Sequence, residues 1–520
     1  MDTFLKNNQA VITGTLSTFD RIIFKGHLLD FFPANGLANF LSRQGILLKD
    51  FGGYVQATSE ELKTHIQHLA EEAKRPYIYL EKNLTAKGGQ SKEDRAREIA
   101  QQDGVTTGLI CVFAVVEPCW AFGVQGNPKT HKLEVRRAYR KCLHFYLYYL
   151  DAEFGLMHIR LQSWFPFEIQ VYINGREWLA RQLDQRGIAY TRYDNKLTEI
   201  ADLKVAQDLC AQLARRKWPR VLKAFAKRVN PLLPRFRRAG LRDYYWVTHQ
   251  AEYATDVFFN SRTDLAALYP ALVSAAMLLF GAEDVMRFLG RKLHGNFKGE
   301  LRSDLKYRPE GCRIKHYLAR NSIKMYDPAN ILRIETTINN PREFRVLRVS
   351  DTPQGRQRRW LPMGKGVANF WRYAQVGQQA NARYLESLAH AQPVGKAIKQ
   401  LDDLCQPKTK QGKRIARFNP VAAEDGQLFA ILLRGEFSVN GFRNKDVVAH
   451  LYDRPARAKA ERRRRSAHVT RLMAKLRGHG LITKVKQSRL YRLSEKGLQL
   501  LAAAVHYRKA EFPNAIAATA

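Results

Sequence analysis

Hydrophobic residues recur with two different periods in the first 125 residues, which predicts a domain that mixes strands and helices. Residues 10–24 and 108–116 are rich in apolar residues, and the second run is nearly continuous. Both are predicted strands, because a short apolar run of this kind suits a buried strand. In residues 60–72 the apolar positions recur at helical spacing, which predicts a helix with one buried face.

The pattern in residues 126–240 predicts an α+β domain with a sheet and several basic helices. A strand at 143–150 is followed by turn residues and a second strand at 157–164, which predicts a hairpin. Strict alternation marks a third strand at 167–173, and Asn174 followed by glycine ends it. The remaining elements are predicted helices at 133–140, 177–185, 206–214 and 218–229.

One face of this predicted sheet combines aromatic and basic side chains. Tyrosines interleaved with arginine on an open sheet can stack on bases and contact phosphates. The same pattern equally fits a face that helices cover and on which the tyrosines pack. The residues on this face are His144, Tyr146, Tyr148, Arg160, Gln162, Gln170 and Tyr172.

Residues 241–350 are predicted to form helices followed by a hairpin, and residues 351–424 a basic connector. The apolar stretch at 265–280 is interrupted too often for a membrane span, so it is predicted to be a buried helix. The hairpin pairs residues 322–326 with residues 331–338, where apolar and polar residues alternate. The predicted helices are 249–260, 264–280, 284–293 and, within the connector, 381–389.

Residues 425–508 follow the element order of a winged helix-turn-helix domain. Helices are predicted at 425–434 and 445–452, then a third that contains Ser466 and ends at Arg477, strands at 481–486 and 490–493, and a helix at 495–505. The apolar residues of the third helix lie on one face, and glycine follows its end. With the runs 476–482 and 491–497, the segment resembles MarR-like winged helix domains, although that family's paired dimerisation helices are not evident.

The same segment is strongly basic, since residues 441–493 contain 16 lysines and arginines against 3 aspartates and glutamates. The resemblance implies that the third helix enters a major groove and that the wing contacts the backbone or minor groove. A winged helix used for protein contacts is the alternative. The predicted nucleic-acid contacts are Arg462, Arg463, Arg464, Arg465, His468, Arg471, Lys475, Lys484, Lys486 and Arg489, together with Arg215, Arg216, Lys217, Tyr146, Tyr148, Arg160 and Tyr172.

A weaker resemblance concerns the predicted hairpin at 321–339. Lys324 and Tyr326 on one strand share a polar face with Arg333 and Glu335 on the other. This cluster resembles the hairpin of rolling-circle plasmid and phage replication initiators, which nick single-stranded DNA with a tyrosine nucleophile. The resemblance implies a nicking enzyme in which Tyr326, Lys324 and Arg333 are catalytic.

A carboxylate-bound Mg²⁺ would complete such an enzyme. Glu252 and Asp256 lie four apart in a predicted helix and so share a face, and Glu335 would be the third ligand. The chain departs from the initiator pattern, because it has no pair of histidines separated by a hydrophobic residue. The alternative is that Arg333 with Glu335, and Lys324 with Asp327, form ion pairs on a half-buried sheet.

Charge points to the class of partner. The chain carries a formal charge of +38, from 86 lysines and arginines against 48 aspartates and glutamates. Such an excess favours nucleic acid as the partner over an anionic membrane or a heparin-like polymer, and no membrane partner is expected. Six cysteines without a CxxC pair, and a start without the pattern of a signal peptide, predict a cytoplasmic protein.

The length suits several domains. The predicted parts are an α/β domain at 1–125, a sheet domain at 126–240, a helix-and-hairpin domain at 241–350, a connector at 351–424, a winged helix domain at 425–508 and a tail at 509–520. The chain also resembles uncharacterised basic bacterial proteins with a C-terminal winged helix, which implies no activity.

These features favour one function and leave two alternatives. We expect an α+β multidomain protein that grips DNA or structured RNA over several basic surfaces, in a bacterial mobile element or replicon. The alternatives are a metal-dependent nicking or strand-transfer enzyme and a sequence-specific transcription regulator. The oligomeric state stays open.

Overall fold

The computed structural model of the protein consists mainly of helices and strands. The structure describes residues 1–33, 35–81, 90–193, 196–278, 280–290, 301–308, 311–327, 329–353, 355–389, 402, 404–410, 412–420 and 422–511. Of the predicted tail at 509–520, residues 512–520 lie outside the described residues, as does Pro328 of the predicted hairpin turn.

The strands vary widely in length, and the longest have 20 residues. They are β1 (Ile12–His27), β2 (Tyr77–Leu80), β3 (Gly108–Asn127), β4 (Lys132–Asp151), β5 (Gly155–Gln162), β6 (Ile169–Asn174), β7 (Tyr190–Tyr193), β8 (Lys196–Ile200), β9 (Tyr245–Phe259), β10 (Leu301–Arg308), β11 (Gly311–Leu318), β12 (Asn321–Tyr326), β13 (Ile331–Ile338), β14 (Arg345–Thr352), β15 (Gly355–Pro362), β16 (Lys408–Lys410), β17 (Lys413–Ile415), β18 (Ile482–Lys484) and β19 (Tyr491–Leu493).

The described helices include short single turns and one helix of 22 residues. They are α1 (Asp2–Asn7), α2 (Gly36–Arg43), α3 (Phe51–Glu72), α4 (Lys92–Gln102), α5 (Gly175–Asp184), α6 (Leu203–Arg215), α7 (Trp218–Val229), α8 (Leu233–Arg238), α9 (Arg262–Leu278), α10 (Ala282–Phe288), α11 (Phe370–Leu388), α12 (Ala423–Leu432), α13 (Gly435–Asn440), α14 (Asn444–Leu451), α15 (Lys459–Gly478) and α16 (Glu495–His506). The chain therefore combines helices and strands, as the sequence analysis predicts.

The chain divides into two compact units that are not continuous in sequence. The first unit contains Met1–Leu16, Ala254–Thr336 and Val376–Ala520. The second unit contains Ser17–Tyr253 and Thr337–Gln375. Each unit is built from segments that are distant along the chain.

The second unit contains a sheet with the strand order β1-β6-β5-β4-β3-β2. Strands β2 and β3 are parallel, and the other neighbouring pairs are antiparallel. The predicted hairpin at 143–150 and 157–164 is confirmed, because Leu147 of β4 lies opposite Ile159 of β5. The third predicted strand is β6, and Asn174 caps α5 by accepting from the backbone of Arg176 at 2.8 Å.

The predicted basic helix at 133–140 is wrong, since these residues belong to β4. Strand β3 continues beyond its predicted end at Val116 and pairs with β4 as far as Asn127, so that Trp120 lies opposite Tyr139. Strand β2 pairs with β3 only up to Val115. Pro118 therefore lies on an edge of the described sheet, where a proline without an N–H is tolerated.

An aromatic core lies beside this sheet in the second unit. The ring of Phe165 contacts five other buried phenylalanines, with centroid distances between 4.6 and 6.3 Å. Helix α3 faces the core with Leu62 and Ile66, both fully buried, as its predicted apolar face requires. The phenylalanines around Phe165 are Phe31, Phe40, Phe51, Phe167 and Phe236.

The first unit contains strands in the order β10-β11-β12-β13-β9. The predicted strands at 322–326 and 331–338 are confirmed as the neighbours β12 and β13. The predicted helix at 249–260 is wrong, since these residues lie on β9. Residues 254–259 are all buried, and a strand that is covered on both faces shows no alternation from which it could be predicted.

Helix α9 corresponds to the apolar stretch that was predicted to be a buried helix. Leu265 and Leu272 on this helix are buried. Among the described residues, no helix combines the length and the apolar character needed to cross a membrane.

The C-terminal part of the first unit has the order α12, α13, α14, α15, β18, β19 and α16. The apolar side chains of these elements form one core. Every helix and strand predicted between residues 425 and 505 has a counterpart whose predicted bounds lie within a few residues of the observed ones. Helix α13 is an additional element that was not predicted. Core residues from different elements include Leu428, Leu432, Val447, Val469, Met473, Leu476, Ile482, Leu498 and Leu501.

Candidate nucleic-acid interface

Helix α15 turns one apolar face to the C-terminal core and leaves its arginines at the surface. Val469, Met473 and Leu476 are buried at spacings that place them on one side of a helix. Gly480 follows the helix with φ +73°, the left-handed conformation that glycine adopts without strain. The predicted contact residues that are exposed on this helix are Arg462, Arg463, Arg464 and Arg471.

Three other predicted contact residues of α15 interact within the C-terminal segment. The guanidinium of Arg465 lies 4.5 Å from the ring centre of Tyr452, and Nδ1 of His468 is 2.8 Å from the hydroxyl oxygen of the same tyrosine. The Lys475 ammonium is 3.5 Å from the Asp425 carboxylate. These side chains stabilise the segment, and the exposed arginines are the groups placed to approach a phosphate.

A side-chain amide fixes α15 against α14. Nδ2 of Asn444, the first residue of α14, donates to the carbonyl oxygen of Ser466 and to the hydroxyl of Thr470, each at 3.0 Å. Both acceptors lie on α15, so these hydrogen bonds connect the N-terminus of α14 to α15. The exposed face of α15 is therefore held at a defined angle to the rest of the segment.

The hairpin of β18 and β19 is joined to the turn that precedes α14. Tyr491 exchanges two backbone hydrogen bonds with Phe442, each at 2.8 Å. Gly441 makes this approach possible, because its φ is +69° and a Cβ there would lie 2.4 Å from the carbonyl oxygen of Tyr491. The predicted contact residues Lys484, Lys486 and Arg489 are all exposed on this hairpin.

A first basic hairpin, residues 117–141, is formed by the distal parts of β3 and β4 in the second unit. Residues 127–141 contain 6 lysines and arginines against 1 glutamate. Trp120 and Tyr139 are 54% and 65% exposed, with ring centroids 5.7 Å apart. The Arg137 guanidinium lies 5.5 Å from the Trp120 ring centre. Exposed aromatic rings beside cations are suited to stacking on bases.

A second basic hairpin, residues 345–362, is formed by β14 and β15, across the predicted boundary between the helix-and-hairpin domain and the connector. It contains 5 arginines against 1 aspartate. Arg348 lies directly opposite Arg359. Like charges in this position repel each other, and a bound anion would relieve that repulsion. Trp360 is 51% exposed beside them, and the Arg372 guanidinium lies 5.3 Å from its ring centre.

The aromatic sheet face predicted to be open is covered. Tyr148 and Tyr172 are 3% and 7% exposed. The ring of His158 stacks on Tyr172 with centroids 4.9 Å apart, and burial lowers the pKa of His158 to about 3. The interpretation of this face as an open stacking surface is therefore wrong, and the alternative of packed tyrosines is confirmed.

Helix α4 supplies the cover over Tyr146 and Arg160. The Lys92 ammonium lies 4.2 Å from the Tyr146 ring centre and 2.6 Å from the Glu117 carboxylate. That carboxylate also accepts from the Tyr146 hydroxyl at 2.8 Å and from Arg160 at 3.2 Å. The hydrogen-bonding groups of Tyr146 and Arg160 thus meet a carboxylate rather than bases.

One of the three predicted contact residues at the end of α6, Arg216, pairs with a carboxylate of the protein. The Arg216 guanidinium donates to the Glu153 carboxylate at 2.6 Å and lies 5.2 Å from the Phe154 ring centre. Arg215 and Lys217 on either side are exposed. Two of the three residues are therefore placed to meet an anion.

The charged residues of β12 and β13 pair in a way that the sequence did not indicate. Arg333 donates from Nε and Nη2 to the two carboxylate oxygens of Asp256, at 2.6 and 2.9 Å. The Lys324 ammonium is 2.7 Å from Glu335. The Tyr326 hydroxyl donates to the other oxygen of Glu335 at 3.3 Å.

Burial decides what this cluster can do. Tyr326 is 7% exposed, Arg333 is 1% exposed, and Asp256 and Glu335 are fully buried. A tyrosine nucleophile must reach a phosphate, whereas the Tyr326 hydroxyl is enclosed with an arginine and a carboxylate. The arrangement is therefore the ion-pair alternative, with Asp256 as the partner of Arg333.

The proposed Mg²⁺ ligands do not form one site. Glu252 and Asp256 both lie on β9, where residues four apart are separated by about 13 Å along the strand and cannot share one ion. Asp256 and Glu335 each face a protonated side chain, which occupies the oxygens that a cation would need. Glu252 accepts from Gln250 at 2.9 Å.

Among the described residues, Glu283, Glu436 and His450 are the group whose ligand atoms lie within 4.8 Å of one another. Arg434 is 2.8 Å from Glu283, and Arg287 is 2.7 Å from Glu436. Burial opposes ionisation of Glu436, but the hydrogen bond to His450 and the nearby arginines lower its pKa to about 2. With two arginines in place, the group is an ion-pair network that a further cation would disrupt.

Exposed basic residues thus gather on α15 with its following hairpin and on the two basic hairpins. Seven of the ten residues predicted for the first surface are exposed, whereas the exposed tryptophans of the other two surfaces were not predicted. No family model, curated protein or solved structure matches the chain.

Proposed function

We propose that this protein binds nucleic acid and that residues 425–508 act as a winged helix-turn-helix domain similar to those of MarR-like proteins. The observation that carries the proposal is the row of exposed arginines on α15, which stands beside an exposed basic hairpin in the element order of such a domain. In this arrangement α15 enters the major groove. Lys484, Lys486 and Arg489 contact the backbone or the minor groove.

The two basic hairpins extend the contact to other parts of the ligand. Their arginines supply phosphate contacts, and Trp120, Tyr139 and Trp360 offer rings on which unpaired bases stack. The formal charge of +38 supports a long polyanionic partner rather than a small acidic one. The ligand is thus DNA or structured RNA that combines duplex with unpaired nucleotides, and a role in a bacterial mobile element or replicon belongs to the same proposal.

A salt titration tests the proposal. The protein is purified without nucleic acid, and its affinity for labelled duplex DNA, single-stranded DNA and structured RNA is measured between about 50 and 200 mM salt. The logarithm of the affinity should fall linearly with the logarithm of the salt concentration, by about 0.9 for each duplex phosphate contacted. An affinity that stays constant over this range would contradict the proposal.

Sequence-specific regulation of transcription is a narrower form of the same function. A regulator discriminates its own site from random duplex by about 10³-fold or more. Selection of bound duplexes from a random pool, followed by competition with unselected duplex, measures this ratio. We do not propose a nicking enzyme, because Tyr326, Arg333 and Glu335 are buried and paired.

A further inference from the structure

A cluster of polar side chains surrounds Cys119, at the start of the first basic hairpin. Cys119 lies opposite Arg140, and Cys142 lies opposite Glu117, so the two cysteines are diagonal neighbours on one face of the sheet. Cys119 is half-buried. Around it, Cys142, His144 and Gln162 are 7%, 1% and 3% exposed and lie on the same face.

The polar side chains around Cys119 make specific hydrogen bonds, one of them to its sulfur. Nε2 of Gln162 donates to Sγ of Cys119 at 3.3 Å. Cys142 and His144 lie beside this residue on the same face of the sheet. Nδ1 of His144 is 3.0 Å from the carbonyl oxygen of Cys142, and because a carbonyl can only accept, this nitrogen donates and fixes the ring.

The two thiols have opposite acidities. The hydrogen bond from Cys142, together with His144 and the charge of Arg160, outweighs burial and lowers the pKa of Cys119 to about 5. The same interaction raises the pKa of Cys142, and burial raises it further. Of the two thiols, Cys119 is therefore the one that ionises more readily.

We propose that Cys119 is a nucleophilic thiolate that hydroperoxides oxidise to a sulfenic acid, with Cys142 and Gln162 stabilising its charge. The sulfur attacks one peroxide oxygen, so that an S–O bond forms and the O–O bond breaks. The sulfur loses two electrons to the peroxide, and the departing hydroxide or alkoxide takes a proton from solvent. This site does not depend on nucleic-acid binding.

Alkylation of the full-length protein with iodoacetamide tests the ionisation of Cys119, because only the thiolate reacts. Cys405 is an internal control, since burial and Asp402 raise the pKa of its half-buried thiol. Between pH 6 and 8, mass spectrometry should show less than about a twofold change in the rate at Cys119 and about a hundredfold rise at Cys405. A parallel rise at both residues would overturn the proposal.

Two substitutions of the donor give a second test. Cys142→Ala removes the hydrogen bond and should slow alkylation of Cys119 at pH 6 by at least about fivefold, whereas Cys142→Ser keeps a donor and should stay within about twofold of the wild type. Trapping with dimedone after hydrogen peroxide should label Cys119 before Cys405. Equal rates in both variants, or preferential labelling of Cys405, would contradict the assignment, and the wild-type pH profile decides the question if a variant does not fold.

Discussion

Arg333 and Asp256 form a buried bidentate ion pair, with Nε donating to Oδ1 at 2.6 Å and Nη2 donating to Oδ2 at 2.9 Å. The pair joins β13 to β9 inside the first unit. Neither charge has access to water, so each depends on the other for its stabilisation. This relationship assigns a structural role to residues that the sequence placed in a nicking site.

Asp256→Asn should strongly destabilise the protein. The substitution removes the charge of the bidentate partner of a buried guanidinium, which costs about 3–5 kcal/mol in the free energy of unfolding. Urea denaturation measures this loss. Asp351→Asn is the control, because Asp351 and its partner Arg356 are 88% and 82% exposed, and its unfolding midpoint should match the wild type. Equal effects of the two substitutions would contradict the structural role.

The ion-pair network around Glu436 predicts a dependence of stability on pH. The folded state lowers the pKa of Glu436 to about 2, below its ordinary value of about 4.3. The stabilisation is therefore fully present above pH 5 and is lost as the pH falls toward 2. The stability difference between the wild type and Glu436→Gln should shrink over this range in urea denaturation. A difference that stays constant with pH would exclude the network as its cause.

Gly441→Ala should destabilise the C-terminal segment. The substitution places a Cβ at φ +69° and 2.4 Å from the Tyr491 carbonyl oxygen, so the close approach of the β19 backbone is lost. We expect a loss of more than about 1 kcal/mol in thermal unfolding. Gly52→Ala is the matched control, because a Cβ at this helical position contacts nothing within 4 Å, and it should be neutral or slightly stabilising. Similar losses for both would contradict this account.

The second basic hairpin should contribute phosphate contacts. Arg358→Gln combined with Arg359→Gln should reduce the slope of log affinity against log salt by about 1.4 to 1.8, since each contact contributes about 0.7 on single strands and 0.9 on duplex. The control combines Lys49→Gln with Lys74→Gln, which removes the same charge from exposed positions elsewhere in the second unit. If both double variants lower the slope equally, total charge rather than this hairpin determines binding.

Local sequence patterns predicted the exact bounds of some helices. They failed for strands whose neighbouring strands are distant along the chain. Helix α7 has the predicted bounds, Trp218–Val229, because its apolar residues recur at helical spacing on one face. Strand β9 was predicted to be a helix, since a strand buried on both faces loses the alternation that marks it. The charged residues at 133–140 form a strand only because β3 lies beside them, and no local signal carries that information.

The exposed residues of α15 could be predicted, because the apolar residues of this helix recur at helical spacing and so mark its buried face. On α15 the buried positions Val469, Met473 and Leu476 identify the opposite face, and four of the five arginines predicted there are exposed. The partners of Arg333 and Tyr172 were not predictable, because they are brought together across strands and by helix α4. A tryptophan directly after two arginines, as at Trp360, was the available signal for the second hairpin.

The contribution of α15 is tested most directly by replacing Arg462, Arg463 and Arg464 with glutamine and measuring duplex DNA binding against salt. The matched control replaces Lys6, Lys49 and Lys74, which are exposed and carry the same total charge. We predict that the α15 variant loses about 2.7 from the slope of log affinity against log salt, while the control keeps the wild-type slope. Indistinguishable binding by the two variants would contradict the account.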